Sequence, residues 1–237
     1  MRTDVKIYKF FGDKNQDYDE IIQSGCYVDR DKTIDLSKIF FMEQVHSDQV
    51  YTLTVTDVLC EGVLNHDVSG ELIQEKNILL ACDGIVSNQK DIYLAIKTAD
   101  CFPIFLYDEK KAIIGVAHSG REGTKLQIIA KIIDMMQEIY HCSTQDIICE
   151  IGPGICHQHY QVSPDLALDF YQTLSISEVD YYLDLQKIIY ETALKKLLQP
   201  QHIITNSICT FENTNYYSYR RNQILKRQVS LLGMENV

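Results

Sequence analysis

An α+β fold, with mixed or antiparallel sheets and helices outside them, is predicted by three observations on this 237-residue chain. Runs rich in β-branched and aromatic residues dominate it, segments of helical period are few, and hairpin-like connections outnumber βαβ units. The strand-like runs are 5–10, 39–45, 50–55, 92–96, 101–107, 112–117, 147–151, 181–185 and 203–209. A helix is predicted from Thr124, with Gln127 completing a capping box and Leu126, Ile129, Ile133 and Met136 forming its apolar row. A second follows Asp184, where Leu185, Ile189, Ala193 and Leu197 share a face before Pro200 stops it. A third, short one spans 164–172. The polar stretch 61–77, with Gly62, Asn65, Asp67, Ser69 and Gly70, reads as a surface loop rather than a boundary. No repeat or linker divides residues 1–237, so a single domain is expected.

An apolar content of 46% is enough for a substantial core. No apolar run reaches the length of a membrane span, and the start of the chain lacks the apolar core of a signal peptide, which predicts a soluble, cytoplasmic protein. The eight cysteines are dispersed, several inside apolar runs, and read mostly as buried thiols. A net charge of −11 argues against nucleic acid as a partner, because that binding rests on clustered Lys and Arg. Arg220, Arg221, Lys226 and Arg227 form the one basic cluster, readable as a solvated face or as an anion site. An anionic small molecule is compatible with either.

The chemistry converges on two segments, Thr98-Ala99-Asp100-Cys101 and Ala117-His118-Ser119-Gly120-Arg121-Glu122-Gly123-Thr124. The apolar stretch between them turns at an Asp-Glu-Lys-Lys sequence, as a hairpin would, and such a hairpin brings Cys101 and His118 side by side. His46, in Gln44-Val45-His46-Ser47, also follows a strand-like run. One thiolate and two imidazoles make a three-ligand set with an open position, the catalytic form of zinc. Spacing alone does not single out this set, since no CxxC or HExxH signature fixes it. Taken singly, Cys101 reads as a core thiol and His118 as a satisfied histidine at a strand end. The small-residue turn after His118 can receive an anion, with Arg121 adding charge, or can serve the turn alone. Cys82-Asp83-Gly84 is a turn that can place a carboxylate at a pocket rim, and Gly152-Pro153-Gly154 closes another strand.

Gln44-Val45-His46, Asp83-Gly84-Ile85-Val86-Ser87, Thr98 to Ile104, Ala117 to Thr124, Ile151-Gly152-Pro153-Gly154-Ile155-Cys156 with Tyr160-Gln161-Val162, and Cys209-Thr210 with Tyr217-Ser218-Tyr219-Arg220-Arg221 occur in an order that strongly resembles one family. It is the YfiH-like family, also called laccase-domain or multicopper polyphenol oxidase proteins. The resemblance implies a mixed-sheet β-sandwich flanked by helices and a zinc held by His46, Cys101 and His118. It also implies purine nucleoside phosphorolysis, on adenosine, inosine, guanosine or methylthioadenosine, with adenosine deamination as a second activity. Purine nucleoside and phosphate are then the small-molecule partners. Asp83, Arg121 and Arg220 are the expected substrate contacts, with Asp83 or Glu122 carrying protons in deamination. This chain departs from the family pattern at Arg121 and Glu122, where Trp and Arg are common, and at Gln158-His159-Tyr160, where many relatives have Cys-Cys-Tyr.

Multicopper oxidation is rejected on residues alone, because seven histidines with one His-x-His pair, His157 and His159, cannot supply a blue centre and a trinuclear cluster together. Two alternatives use the same residues. One is a metal-free hydrolase acting on an amide or a peptidoglycan-derived substrate, with Cys101 as nucleophile and His118 as base. The other is a non-enzymatic binding module that retains zinc for structure.

Overall fold

The computed structural model describes residues 5–29, 32–53, 72–73, 77–79 and 81–236. Two mixed six-stranded sheets form a sandwich. The first contains β1 (Val5–Phe10), β4 (Ile39–Met42), β6 (Leu72–Ile73), β7 (Ile78–Leu79), β9 (Ile92–Thr98) and β14 (Gln228–Asn236), in the order β1-β14-β9-β4-β7-β6. The second contains β5 (Val50–Leu53), β8 (Gly84–Ser87), β10 (Phe102–Asp108), β11 (Ile113–Ser119), β12 (Ile148–Ile151) and β13 (Ile203–Thr205), in the order β13-β12-β10-β11-β8-β5. A separate hairpin pairs β2 (Cys26–Asp29) with β3 (Lys32–Asp35).

Alternation along the strands explains the three layers of core. In β10, Phe105 and Tyr107 point between the sheets and meet Leu94, Ile96 and Leu232 of the first sheet. Phe102, Ile104 and Leu106 point the other way, into a helical layer. That layer consists of α3 (Ile128–Glu138), α4 (Pro164–Thr173) and α5 (Leu185–Lys195). The outer face of the first sheet is covered by α1 (Tyr18–Ser24), through Ile21, and by the small hairpin, through Tyr27 and Ile34.

Local signals account for the helix ends. Asp17 caps α1 by accepting from Asp19 and Glu20, and Gly25 closes it with φ of 72°. Asp184 accepts from Lys187 at the start of α5, as the sequence predicts. Ser163 and Pro164 open α4. The helix expected from Thr124 is corrected: α2 (Arg121–Lys125) ends there, Gln127 turns left-handed with φ of 56°, and α3 begins only at Ile128. The Thr124 hydroxyl is held by the Ser119 hydroxyl at 2.8 Å, so it is not available to cap. Leu197 lies beyond α5 and is exposed.

Other expectations are trimmed. The run 181–185 forms one bridge, Gln161 to Tyr182, because Asp184 is taken as a helix cap. The run 203–209 keeps three strand residues and one bridge at Cys209. Most of the predicted loop 61–77, Cys60, and the end of the run 50–55 lie outside the described residues. Strand β14 was not among the predicted runs, because Ser230, Gly233 and Glu235 interrupt its apolar pattern. Gly233 is nonetheless required, since a Cβ there would sit 2.3 Å from the Tyr93 ring. No helix among the described residues is long and apolar enough to cross a membrane.

Phe105 is fully buried at the inter-sheet layer and stacks on Phe11 with ring centroids 4.3 Å apart. Phe105→Ala is expected to destabilise the protein by roughly 3–5 kcal/mol, read as a lowered urea midpoint with an unchanged m-value.

Candidate functional site

The hairpin inferred from sequence is formed. Strands β10 and β11 pair antiparallel with Pro103 opposite His118, so Cys101, just before β10, lies beside the end of β11. His46 comes from the segment between β4 and β5. The thiol of Cys101 and one ring nitrogen each of His46 and His118 lie within 4.8 Å of one another. His46 is exposed, Cys101 half-buried and His118 buried.

One carboxylate organises this group. Asp83, at the start of β8, is fully buried. Its oxygens accept from the backbone N–H groups of Val45, His46 and Ser47 at 3.2, 3.2 and 2.6 Å, and from the Ser47 hydroxyl at 2.8 Å. The same carboxylate meets His118 Nδ1 at 2.8 Å. Three successive N–H groups cradling an anion make a nest, which stabilises the left-handed φ of 59° at His46. Burial pushes the Asp83 carboxyl up, but His118 and the Ser47 N–H outweigh it and hold it below its ordinary value. An ionised Asp83 fixes the His118 tautomer, with Nδ1–H donating and Nε2 directed to Cys101 and His46.

The three groups then shift one another. Burial would raise the Cys101 thiol, but the His118 and His46 imidazoles bring it down to about 6. Burial would lower His118, yet Cys101 and Asp83 bring it up to about 9. Close approach depends on Gly120, where a Cβ would lie 2.7 Å from the Cys101 sulfur and 3.5 Å from the His46 ring. Asp100 stands next to the thiol with φ of 91°. Its carboxylate accepts from the Thr210 hydroxyl at 2.8 Å and the Arg220 N–H at 2.7 Å, which anchors the backbone turn that presents Cys101.

His46, Cys101 and His118 form part of the wall of a cavity of about 710 Å³. Arg121 and Arg220 line it. Asp83 does not: the expectation of a rim carboxylate is corrected, because both its oxygens are consumed behind the histidines. Glu122 is also turned away, bridging Arg121 and Lys125 at 2.9 Å each. The basic cluster divides. Arg220 and Arg227 face the cavity, Arg221 spends its guanidinium on the carbonyls of Thr210, Phe211, Asn213 and Tyr216, and Lys226 pairs with Asp17.

Sequence reasoning missed several lining residues. Lys97, Tyr160 and Tyr219 face the cavity, and Gln44 holds Lys97 by accepting from its N–H and donating to its carbonyl, both at 2.8 Å. Burial lowers the Lys97 ammonium, with Arg227 adding to the effect and Glu43 opposing it. Lys97 sits in a strand whose other residues are core, and that break in the apolar pattern was the available signal.

A mixed-sheet sandwich carrying a His-Cys-His group in the wall of a basic cavity narrows the class considerably. The chain matches the family model described as multi-copper polyphenol oxidoreductase laccase over residues 11–235, and it belongs to that family. It is 30% identical over 228 residues to the purine nucleoside phosphorylase YlmD of Bacillus subtilis, covering 91% of this chain and 78% of that one. A purine nucleoside phosphorylase of Campylobacter jejuni is 29% identical over 204 residues, covering 85% and 80%. The crystal structure of the hypothetical protein YfiH of Bacillus licheniformis superposes with a TM-score of 0.72 at 26% identity, covering 84% of this chain and 75% of that one.

In metal-depleted protein, alkylation of Cys101 should rise through pH about 6, since the thiolate forms above that value. His118→Ala should move the midpoint upward, measured by peptide-resolved mass spectrometry. A midpoint near the ordinary thiol value in the unmodified sequence would show that the imidazoles do not act on Cys101.

Proposed function

We propose that this chain is a zinc-dependent purine nucleoside phosphorylase, with His46, Cys101 and His118 as metal ligands and catalytic centre. The observation that carries the reading is the meeting of that group with four cationic side chains, Lys97, Arg121, Arg220 and Arg227, in one cavity. In a protein of net charge −11, such a cavity favours an anionic substrate. The donor set suits zinc's borderline softness, and the side toward the cavity remains open. Zinc bound there would supply a Lewis acid that polarises a substrate oxygen.

The remaining work falls to the chain's own residues. Arg121 and Arg220 bind and orient phosphate, and their charge offsets the repulsion between it and other anionic groups. Tyr160 and Tyr219 offer aromatic faces to the purine. Phosphate oxygen bonds to ribose C1′ as the bond from C1′ to the base breaks, the base leaving with the electron pair and then taking up a proton. Asp83 acts as a positioning residue, through the two histidines. Adenosine, inosine, guanosine and methylthioadenosine are the substrates in this reading. Deamination of adenosine is the weaker activity, because neither Asp83 nor Glu122 faces the cavity to carry protons.

A metal-free hydrolase is the second reading, favoured by one observation: Asp83, His118 and Cys101 line up as carboxylate, imidazole and thiolate. A third imidazole at the same point, His46, favours metal instead. A purely structural zinc would call for a fourth protein donor, and the group has three among the described residues. We place the protein in the cytoplasm and treat residues 1–237 as one domain.

Incubation with inosine or adenosine and phosphate should release free purine and ribose 1-phosphate. No free purine from either nucleoside overturns phosphorolysis. Arg121→Ala and Arg220→Ala should each raise the KM for phosphate more than they change kcat. Asp83→Asn should weaken zinc retention by roughly 10- to 100-fold, measured against a chromophoric chelator. Protein without zinc whose Cys101 is trapped by a thiol reagent would instead favour the hydrolase, whereas stoichiometric zinc lost in Cys101→Ser would remove it.

A further inference from the structure

A second group of metal-ligating side chains lies outside the site described above. Cys156, His159 and Cys209 place one sulfur, one ring nitrogen and one sulfur within 4.8 Å of one another. His159 Nδ1 is 3.1 Å from the Cys156 sulfur and 3.8 Å from the Cys209 sulfur. Tetrahedral zinc bonds of about 2.3 Å to sulfur and about 2.0–2.1 Å to nitrogen put such donors about 3.5 Å apart. The two measured separations bracket that value.

The scaffold around these donors is already closed. Gly154 and Cys209 form a parallel bridge, the Thr210 N–H donates to the Gly154 carbonyl at 3.0 Å, and the Cys156 N–H donates to the Cys209 sulfur at 3.3 Å. His159 belongs to a short 3-10 turn, 157–159, so that Cys156 and His159 stand three residues apart. Its ring stacks on Phe211 with centroids 4.4 Å apart and planes 18° apart, which fixes the direction of Nδ1. Glu212 approaches the same nitrogen at 3.6 Å and is exposed, and Cys156 borders a second cavity of about 270 Å³. A fourth ligand, carboxylate or water, therefore has a route in.

We propose that Cys156, His159 and Cys209 form a second soft-cation site that takes zinc or an ion of its class. Its place in the fold defines what it does. The Ile155 N–H holds the Asp100 carbonyl at 2.8 Å, Thr210 holds the Asp100 carboxylate, and Ile155 and Tyr160 line the main cavity. A cation joining 156–159 to 209 ties together the two segments that support Asp100 and, through it, Cys101. The inference is independent of the nucleoside reading and of metal at His46, Cys101 and His118.

The test uses the full chain, metal-depleted and reduced, titrated with zinc against a chromophoric competitor and with cobalt(II) followed in the visible and near ultraviolet. Cys101→Ser removes the first group, and it should still bind one equivalent of zinc and give thiolate-to-cobalt charge transfer. Adding Cys156→Ser should abolish both signals, and adding the milder, half-exposed change His159→Gln should weaken zinc binding at least tenfold. The proposal is overturned if Cys101→Ser, with its thiols counted as free, binds no zinc. Binding unaffected by both further changes, or a Cys156–Cys209 disulfide that persists under reductant in place of metal, overturns it equally. If Cys101→Ser binds as much zinc as the unmodified sequence, the metal assignment of the first group fails while this one stands.

Discussion

Everything at the candidate centre depends on one buried carboxylate. Asp83 has five hydrogen-bonding partners: three backbone N–H groups, a hydroxyl and an imidazole. An ionised group so deeply buried would be strongly destabilising without partners, and here its partners are the structures that position two histidines. It holds His46 through the main chain and His118 through the ring. Few side chains could replace it, because the nest requires an anion with two oxygens and the strand allows little extra volume. The close contact over Gly120 completes the constraint from the other side, leaving the thiol no intervening atom.

The sequence was most informative where a physical pattern is local. The β10–β11 hairpin follows from two apolar runs and the charged turn between them, and its register delivered the contact between Cys101 and His118. The helix start after Asp184 was similarly plain. It was least informative where a residue's partner is distant. Asp83 reads as a turn residue because nothing near it reveals that Val45, His46 and Ser47 will surround it. Thr124 looks like a cap, but Ser119, across the turn, claims its hydroxyl. Arg221 and Arg220 are adjacent and chemically identical, yet the fold commits Arg221 to four backbone carbonyls and sets Arg220 on the cavity wall with one bond, to the Gln161 carbonyl at 2.6 Å. The hairpin and the strand-like run before His46 suggested the His46, Cys101 and His118 set, and the ordered motifs rather than spacing made it specific, since its members come from three separate segments.

The departures from the family pattern acquire a physical meaning in the structure. Arg121, where the resemblance leads one to expect Trp, stands at the cavity wall and presents a charge there, and Glu122 tethers it together with Lys125. The aromatic surface of the cavity comes from Tyr18, Tyr160 and Tyr219. His159, where the resemblance leads one to expect Cys, places its Nδ1 3.1 Å from the Cys156 sulfur and 3.8 Å from that of Cys209.

Three connections carry the chain from the first sheet to the second, between β4 and β5, between β7 and β8, and between β9 and β10. His46 rides on the first passage, Asp83 on the second and Cys101 on the third, while His118 belongs to the second sheet itself. Gln44 secures the first passage to β9 by pairing with both polar groups of Lys97, and Asp83 secures it to β8. The centre is thus a seam stitched across the two halves of the sandwich. Any sliding of one sheet over the other would draw His46 and Cys101 away from His118, so the alignment of the whole sandwich is gauged at a single point.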